Sequence, residues 1–75
     1  TEVRVRFASG VLELGGPAEV SGALGIVELP AGARARLTLR DRTLLVEALE
    51  GERVEFVDAR GTYVIAPGDS LRRPR

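Results

Sequence analysis

Seven residue types are missing from this sequence, and each absence removes a class of chemistry. The 75 residues contain no His, Cys, Met, Trp, Lys, Asn or Gln. Without His and Cys, the common zinc, copper and iron sites cannot form, and neither can disulfides or the catalytic triads that use His. Without Lys, Schiff-base chemistry and the lysine of nucleotide-binding P-loops are excluded as well. We therefore expect no metal and no cofactor.

Net charge and aromatic content are also low. Eleven basic residues balance eleven acidic ones, and aromatic residues make up 4% of the chain. A neutral chain has no overall field to attract nucleic acid, and single-stranded nucleic acid also needs stacking aromatics. The sequence shows no secretory signal and no long apolar run. We expect neither a nucleic-acid partner nor a membrane partner, and a cytoplasmic location.

The composition that remains is typical of a small globular domain. Apolar residues are 44% and charged residues 29% of the chain. All the basic residues are Arg, which GC-rich codon usage explains, and the missing Asn, Gln, Cys and Met also suit a thermophile. The length of the chain predicts one domain over 1–75, with N-terminal strands over 1–25 and a motif-bearing region over 26–75.

Alternating apolar and polar residues predict short strands throughout the chain. In Thr1–Ala8, for example, Val3, Val5 and Phe7 share one side. Gly and Pro turn signals recur about every eight residues, which is typical of an all-β sandwich or barrel. Ala18–Leu24 is a weak segment in this pattern. The predicted strands are Thr1–Ala8, Val11–Leu14, Ile26–Leu29, Ala33–Arg40, Leu44–Leu49, Arg53–Val57 and Thr62–Ile65, followed by Ser70–Arg72 after a turn.

The segment Thr43–Glu50 has two competing interpretations. Its leucines have helical spacing, and Gly51 follows where a helix-capping glycine belongs. Eight residues are fewer than the roughly 12–15 that an isolated helix needs, and the loops on both sides have hairpin length. We predict a strand, mainly because of the family resemblance described below.

Glycine and proline spacings in the second half of the chain form a recognisable pattern. Gly32 is followed after five residues by Thr38-Leu39-Arg40, three more residues lead to Leu44, and six more lead to Gly51. Sixteen residues later, Gly68-Asp69 begins a second group that reaches Pro74. These spacings, over about Ile26 to Arg75, resemble the two motifs of the cupin family. The resemblance implies a small cupin-like jelly-roll barrel, a double-stranded β-helix that is short and partly open.

The resemblance also implies that the family's metal site has been lost. The family has two histidines and a glutamate where this chain has Thr38, Arg40 and Leu44, and its fourth ligand would lie beyond Pro74. An arginine cannot bind a metal, and its charge repels one. The implied protein is metal-free and lacks the metal-dependent oxygenase and isomerase reactions of the family.

The tentative ligand-binding residues are those expected to face the barrel interior. Arginine binds carboxylate or phosphate through two parallel hydrogen bonds, so Arg40 is the expected contact for a small organic anion. The alternative is that Arg34, Arg36 and Arg40 form a solvated face with cross-strand ion pairs to the acidic segment 45–58. The tentative set is Arg40, Thr38, Leu44 and Tyr63.

The direction of one strand decides between these alternatives. If Thr38 and Arg40 face inward, Leu37 and Leu39 face outward and need a cover, which a dimer partner would supply. If the leucines fill the interior, the arginines lie on a solvated face and no pocket exists.

The function expected from the sequence is that of a non-catalytic, metal-free cupin-like domain. We expect it to form a homodimer, with Glu2–Phe7 pairing with or covering the partner's sheet, and to bind a small organic anion in its barrel. The alternative is a structural or protein-interaction module with a packed apolar barrel. A metal-independent enzyme of the isomerase type, with Glu47, Asp69 or Tyr63 as acid or base, has less support because these residues form no recognisable pair.

Overall fold

Nine β-strands make up the regular structure of residues 3–74, which are the residues that the computed structural model describes. Alternating side chains and frequent turn residues explain why the chain forms strands of four to eight residues. The strands are β1 Val3–Arg6, β2 Gly10–Gly15, β3 Ala18–Gly22, β4 Gly25–Leu29, β5 Arg34–Arg40, β6 Thr43–Glu50, β7 Val54–Asp58, β8 Gly61–Ile65 and β9 Ser70–Pro74.

The strands form two sheets. One has five strands in the order β1-β3-β4-β7-β8, and the other has four in the order β2-β5-β6-β9. All neighbouring strands are antiparallel except β1 and β3, which are parallel. The prediction of an all-β fold is confirmed. Within residues 3–74 the two sheets share no strand, so each keeps its edges and the described chain forms no closed barrel.

The inner faces of both sheets contribute to one apolar core. Phe56 on β7 and Val46 on β6 are fully buried, although they belong to different sheets. No polar or charged residue among residues 3–74 belongs to the buried class. The core residues are Ala18, Val20, Val27, Leu29, Ala33, Ala35, Leu37, Leu44, Val46, Ala48, Val54, Phe56 and Ile65.

Thr43–Glu50 is strand β6, as predicted. Leu44, Val46 and Ala48 are buried while the residues between them are more exposed, which is the alternation of a strand. This strand pairs with β5 on one side and with β9 on the other. Ladder hydrogen bonds on both edges outweigh the helical preference of a short segment, because eight residues cannot sustain a helix alone.

The weak segment Ala18–Leu24 contains a well-paired strand, β3, which ends at Gly22. It pairs with β1 on one side and β4 on the other, and both Ala18 and Val20 are buried. Its Ala, Ser and Gly residues have low strand propensity, so the local signal is faint. Hydrogen-bonded pairing with β1 and β4 therefore stabilises β3 as a strand despite its weak propensity.

The two ends of the described chain are both paired within the molecule. Strand β1 pairs with β3 of its own chain, so only its other edge is open to a partner. Glu2, part of the expected dimer strand, lies outside the described residues, and the dimer stays a prediction. The predicted strand Ser70–Arg72 is β9, which extends two residues further, to Pro74, along β6. The added length follows from the β6 ladder, which continues to Thr43.

Candidate functional site

The outer face of the four-stranded sheet carries the arginine row. On β5, Ala35 and Leu37 are buried, whereas Arg34 and Arg40 are exposed. The leucine side of this strand therefore packs toward the core, and Thr38 and Arg40 lie on the outer face. Of the two directions considered for β5, the structure has the one in which leucine fills the interior, because burying a Leu side chain stabilises by about 1.5–3 kcal/mol.

Two of the arginines share one ion-pair partner, Glu13 on the neighbouring strand β2. Arg34 Nη2 donates to Glu13 Oε1 at 3.2 Å, and Arg36 Nη2 donates to Glu13 Oε2 at 3.2 Å. These hydrogen bonds from Arg34 and then Arg36 hold the pKa of Glu13 below its ordinary value near 4.5. We expected acidic partners from segment 45–58. The partner is instead Glu13 on β2, which lies directly across from Arg36 on one side, while Glu47 of β6 lies directly across from it on the other.

The other two arginines of this face have no acidic partner within residues 3–74. Arg40 ends β5 and Arg72 lies on β9, so they flank β6. Both contribute to an open groove of about 530 Å³ on the outer face. The hydroxyl-bearing residues Thr38 and Thr43 line the same groove, together with Asp41, Leu45 and Pro74.

The four residues expected to bind a ligand do not meet at one place. Thr38 and Arg40 share the outer groove. Leu44 is 5% exposed and belongs to the core between the sheets. Tyr63 lies on β8 of the other sheet. Their expected meeting point in the interior is absent from the described structure, because outward and inward positions alternate along a strand and the four residues fall on both sides.

Core side chains fill the space between the sheets. One apolar cavity between the sheets has a volume of about 20 Å³ and is lined mainly by apolar residues, including Phe7, Leu24 and Leu39. That is room for about one water molecule. A small organic anion does not fit there, and the cavity lining contains no arginine.

Arg73 forms a partly buried contact that the sequence did not reveal. Its Nε lies 3.3 Å from Asp58 Oδ2, and its guanidinium carbon lies 4.6 Å from the Tyr63 ring centre and 5.8 Å from that of Phe56. The side chains of Arg73 and Asp58 are only 17% and 9% exposed. Arg73 Nε has no hydrogen-bond partner, so this is an ion pair with a cation–π contact. The sequence signal for this contact was strand alternation. Leu71 and Arg73 are two residues apart, so both lie on the inner side of β9.

Asp58 also closes the hairpin between β7 and β8. Its Oδ1 accepts hydrogen bonds from the backbone N–H groups of Arg60 at 2.8 Å and Gly61 at 3.2 Å. One carboxylate oxygen therefore orders the turn while the other faces Arg73. This explains why Asp58 is held in place although its position looked like an ordinary turn residue.

The residues considered as an acid or base lie in two places. Tyr63 and Asp69 both line an open groove of about 650 Å³ that also includes Ser70 and Leu71 of β9. Glu47 lies on the outer face of the four-stranded sheet. In residues 3–74 no group of three or more acidic residues is arranged to hold a metal ion.

The outer face of the five-stranded sheet carries a row of glutamates. Glu19 is directly across from Glu28, and Glu28 is directly across from Glu55. Glu19 has an ion pair with Arg4 at 3.6 Å. Like charges opposite each other on adjacent strands destabilise a sheet modestly. The two sheets therefore present outer faces of different charge.

Within residues 3–74 the structure has no helix with the length and apolarity needed to cross a bilayer. No protein family, curated protein or solved structure matches this chain. The resemblance to the cupins rests on the residue spacings given above.

Proposed function

We propose that this chain is a non-catalytic, metal-free cupin-like domain that forms a homodimer and binds a small organic anion through Arg40 and Arg72. One observation supports the anion site above all others. Two exposed arginines on strands that flank β6 line one groove, and neither makes an ion pair with any residue of the described chain. The proposed site lies on the outer face of the sheet, not in the interior where the family's ligands lie.

The lining of the groove suits a carboxylate. Guanidinium groups donate paired hydrogen bonds to a carboxylate or phosphate, and the hydroxyls of Thr38 and Thr43 add donors. Asp41 lines the groove as well and reduces its positive charge, which favours a singly charged group over a more highly charged one. Leu45 and Pro74 offer apolar surface to the organic part of the ligand.

The corner glycines support the cupin-like part of the proposal. Gly32, Gly51 and Gly68, which carry the spacing resemblance, have φ values of +89°, +87° and +92°. Only glycine adopts this region at low cost, so all three spacings mark real corners of the chain. The two-sheet all-β architecture is compatible with a jelly roll.

A ligand screen by thermal shift tests the anion site. We expect acetate, citrate or phosphate to raise the melting temperature of the unaltered chain, and Arg40→Ala and Arg72→Ala each to weaken that binding about tenfold, the value of one charged hydrogen bond. Arg34→Ala is the matched control, because Arg34 already pairs with Glu13 on the same face. Equal responses in all three variants, or no response to any anion, would refute the site.

A structural or protein-interaction module is the second candidate. It is favoured by the packed interior, where the apolar cavity is only about 20 Å³. In that case no small anion changes the melting temperature of any variant.

A further inference from the structure

The two sheets have four edge strands, and one of these strands differs from the rest in composition. The edges are β1 and β8 in the five-stranded sheet and β2 and β9 in the four-stranded sheet. Strand β1 carries Arg4 and Arg6, β2 carries Glu13, and β9 carries two arginines and Pro74. Charged side chains and proline on an edge strand deter other chains from pairing with it. Strand β8, with the sequence Gly-Thr-Tyr-Val-Ile, has neither.

The backbone of β8 has hydrogen-bonding groups that no other strand of residues 3–74 uses. Asp58 and Gly61 enclose a two-residue turn, so they form a hydrogen-bonded pair. Such pairs alternate with non-bonded pairs along an antiparallel ladder, and the next bonded residue of β8 is therefore Tyr63. The N–H and C=O groups of Thr62 and Val64 point the other way, toward the open edge. This edge offers two donors and two acceptors.

The side chains of β8 also favour pairing. Three valines on edge strands, Val3, Val11 and Val64, are each more than half exposed, and only Val64 lies on a strand without a charged residue. Its neighbours Thr62 and Tyr63 belong to the β-branched and aromatic residues that pack well in sheets. The open edge of β8 is therefore both unpaired and uncharged.

A second copy of β8 matches this edge group by group. When two β8 strands run antiparallel about a two-fold axis at Tyr63, Thr62 of each copy lies across from Val64 of the other. Each of these pairs exchanges two hydrogen bonds, so every outward backbone group of Thr62 and Val64 has a partner. All five residues of Gly61–Ile65 overlap in this register. Sliding one strand by two residues loses part of that overlap.

The same register brings compatible side chains together. Thr62 and Val64 form β-branched pairs across the contact, and the two copies of Tyr63 become neighbours at a non-bonded pair, where side chains are closest. No like charges meet within the strands, because β8 has no charged residue. Arg73, whose guanidinium carbon lies 4.6 Å from the Tyr63 ring centre, already has an ion pair with Asp58.

We propose that a second copy of this chain pairs along β8, joining the two five-stranded sheets into one continuous sheet across a two-fold axis at Tyr63. The inference rests on the homodimer of the proposed function and names its interface. That interface lies at the edge of the sheet opposite to β1 and does not use the Arg40–Arg72 groove.

The length of β8 limits how strong this dimer is. Five residues of an antiparallel strand extend about 17 Å. Pairing over that length buries less than the roughly 800 Å² on each partner that a standard stable interface buries. We therefore expect a dissociation constant on the order of 0.1 mM.

Nuclear magnetic resonance of the whole chain, from about 0.05 to about 1 mM, tests the proposal over a range that spans this dissociation constant. With rising concentration, we expect the amide resonances of Thr62 and Val64 to shift and their hydrogen exchange to slow. Amides of the other edge strands should not change. Spectra that stay the same up to the highest concentration would overturn both the homodimer and its interface.

Three matched substitutions identify which edge strand pairs. Val64→Lys should weaken association about tenfold or more, because it places a charge on the pairing edge. Val3→Lys and Val11→Lys are the controls, since these valines have nearly the same exposure on β1 and β2, and they should leave association unchanged. If Val3→Lys weakens association and Val64→Lys does not, the dimer uses β1 and the β8 interface is wrong.

Two further variants test the backbone pairing and its register. Val64→Pro removes an outward N–H that the chain's own ladder does not use, so it should abolish association and leave the fold intact. Adding Thr62→Glu to Val64→Lys places opposite charges across the contact and should recover most of the lost affinity. A double variant as weak as Val64→Lys alone, or a Val64→Pro variant that still associates, would contradict the register.

The dimer and the anion site fail separately. Circular dichroism of each variant confirms that it is folded. The anion site is tested by the thermal-shift response of Arg40→Ala and Arg72→Ala, and neither residue lies on β8. An unaltered chain that responds to anions and stays monomeric at about 1 mM, tenfold above the expected dissociation constant, would retain the anion site and lose the dimer. The reverse result would do the opposite.

Discussion

Gly51 lies against the backbone of Gly32 at the corner where the chain passes from β6 to the other sheet. Its φ is +87°, and a Cβ atom at this position would overlap the carbonyl oxygen of Gly32. Gly68 has nearly the same φ, +92°, but a Cβ there would meet no atom within 4 Å. Both glycines therefore need a positive φ, but only Gly51 also lies too close to another backbone segment to accept a side chain.

The first prediction separates these two constraints. Gly68→Ala should lower the free energy of unfolding by about 1–2 kcal/mol, which is the cost of a side chain in the left-handed region. Gly51→Ala should cost about 3 kcal/mol or more, because the backbone must also move away from Gly32. Urea denaturation followed by circular dichroism measures both. Equal costs for the two variants would show that the close approach at Gly51 is relieved cheaply.

Residue spacing was informative at this scale. The glycines at 32, 51 and 68 carry the spacing pattern of the sequence, and all three lie at corners with positive φ. The same spacing could not show that Gly51 touches Gly32, since that contact depends on where two separate corners meet. A backbone conformation is a local property, whereas an approach between distant segments is not.

At the scale of elements, the edge strand β2 is tied to β5 by Glu13. Its carboxylate accepts hydrogen bonds from Arg34 and Arg36, which lower the pKa of Glu13. A carboxyl whose pKa is lower in the folded state stabilises the fold above its unfolded pKa. That contribution is lost as the pH falls through the folded pKa.

The second prediction concerns the loss of stability in acid that follows from the lowered pKa of Glu13. Stability of the unaltered chain should fall as the pH drops below about 4.5, in part because Glu13 becomes protonated. Glu13→Gln should reduce this acid sensitivity and should be less stable than the unaltered chain at neutral pH. Glu52→Gln is the control, since Glu52 is exposed in the loop after β6 and makes no ion pair with the described residues. Thermal melts across the acid range measure the slopes. Identical slopes for the Glu13→Gln variant and the unaltered chain would contradict the prediction.

Local alternation predicted most elements because a strand with one buried face repeats every two residues. The local pattern favoured a helix at Thr43–Glu50, and the choice of a strand there, which β6 confirms, came from the shortness of the segment, its hairpin-length loops and the family resemblance. It was least informative for β3, whose Ala, Ser and Gly residues carry little strand preference. Local alternation also could not identify which strands pair with each other. The parallel pairing of β1 with β3, and the choice of Glu13 as partner of the arginines, join segments that the local pattern does not connect.

At the scale of the whole molecule, Arg73 connects the two sheets near one lateral edge. It lies on β9 of the four-stranded sheet, while Asp58, Tyr63 and Phe56 belong to the five-stranded sheet. Its charge is largely removed from water, so its removal would leave the Asp58 carboxylate buried without a counter-charge.

The third prediction concerns this connection. Arg73→Ala should lower the free energy of unfolding by about 3 kcal/mol, the range found when one member of a buried ion pair is removed. Arg72→Ala, one residue away on the outer face, should change it by less than about 0.5 kcal/mol. Urea denaturation at low protein concentration gives both values without a contribution from association.

A double variant tests the mechanism. Asp58→Asn keeps an oxygen that can accept from the turn N–H groups but removes the charge. Combined with Arg73→Leu it should cost less than the sum of the two single changes, because the two charges interact directly. Strict additivity would mean that Arg73 acts only through packing on the aromatic rings.

The sequence alone determined the class of the fold, the positions of the corners and the absence of the chemistry that needs His, Cys or Lys. These follow from local preferences and from which side chains exist at all. The tertiary structure decided that Thr38 and Arg40 face outward, that Glu13 pairs with Arg34 and Arg36, and that Arg73 lies between the sheets. Each of these depends on which distant strands pair and pack. Along a strand every second residue can face either way, and only burial against the opposite sheet selects one side.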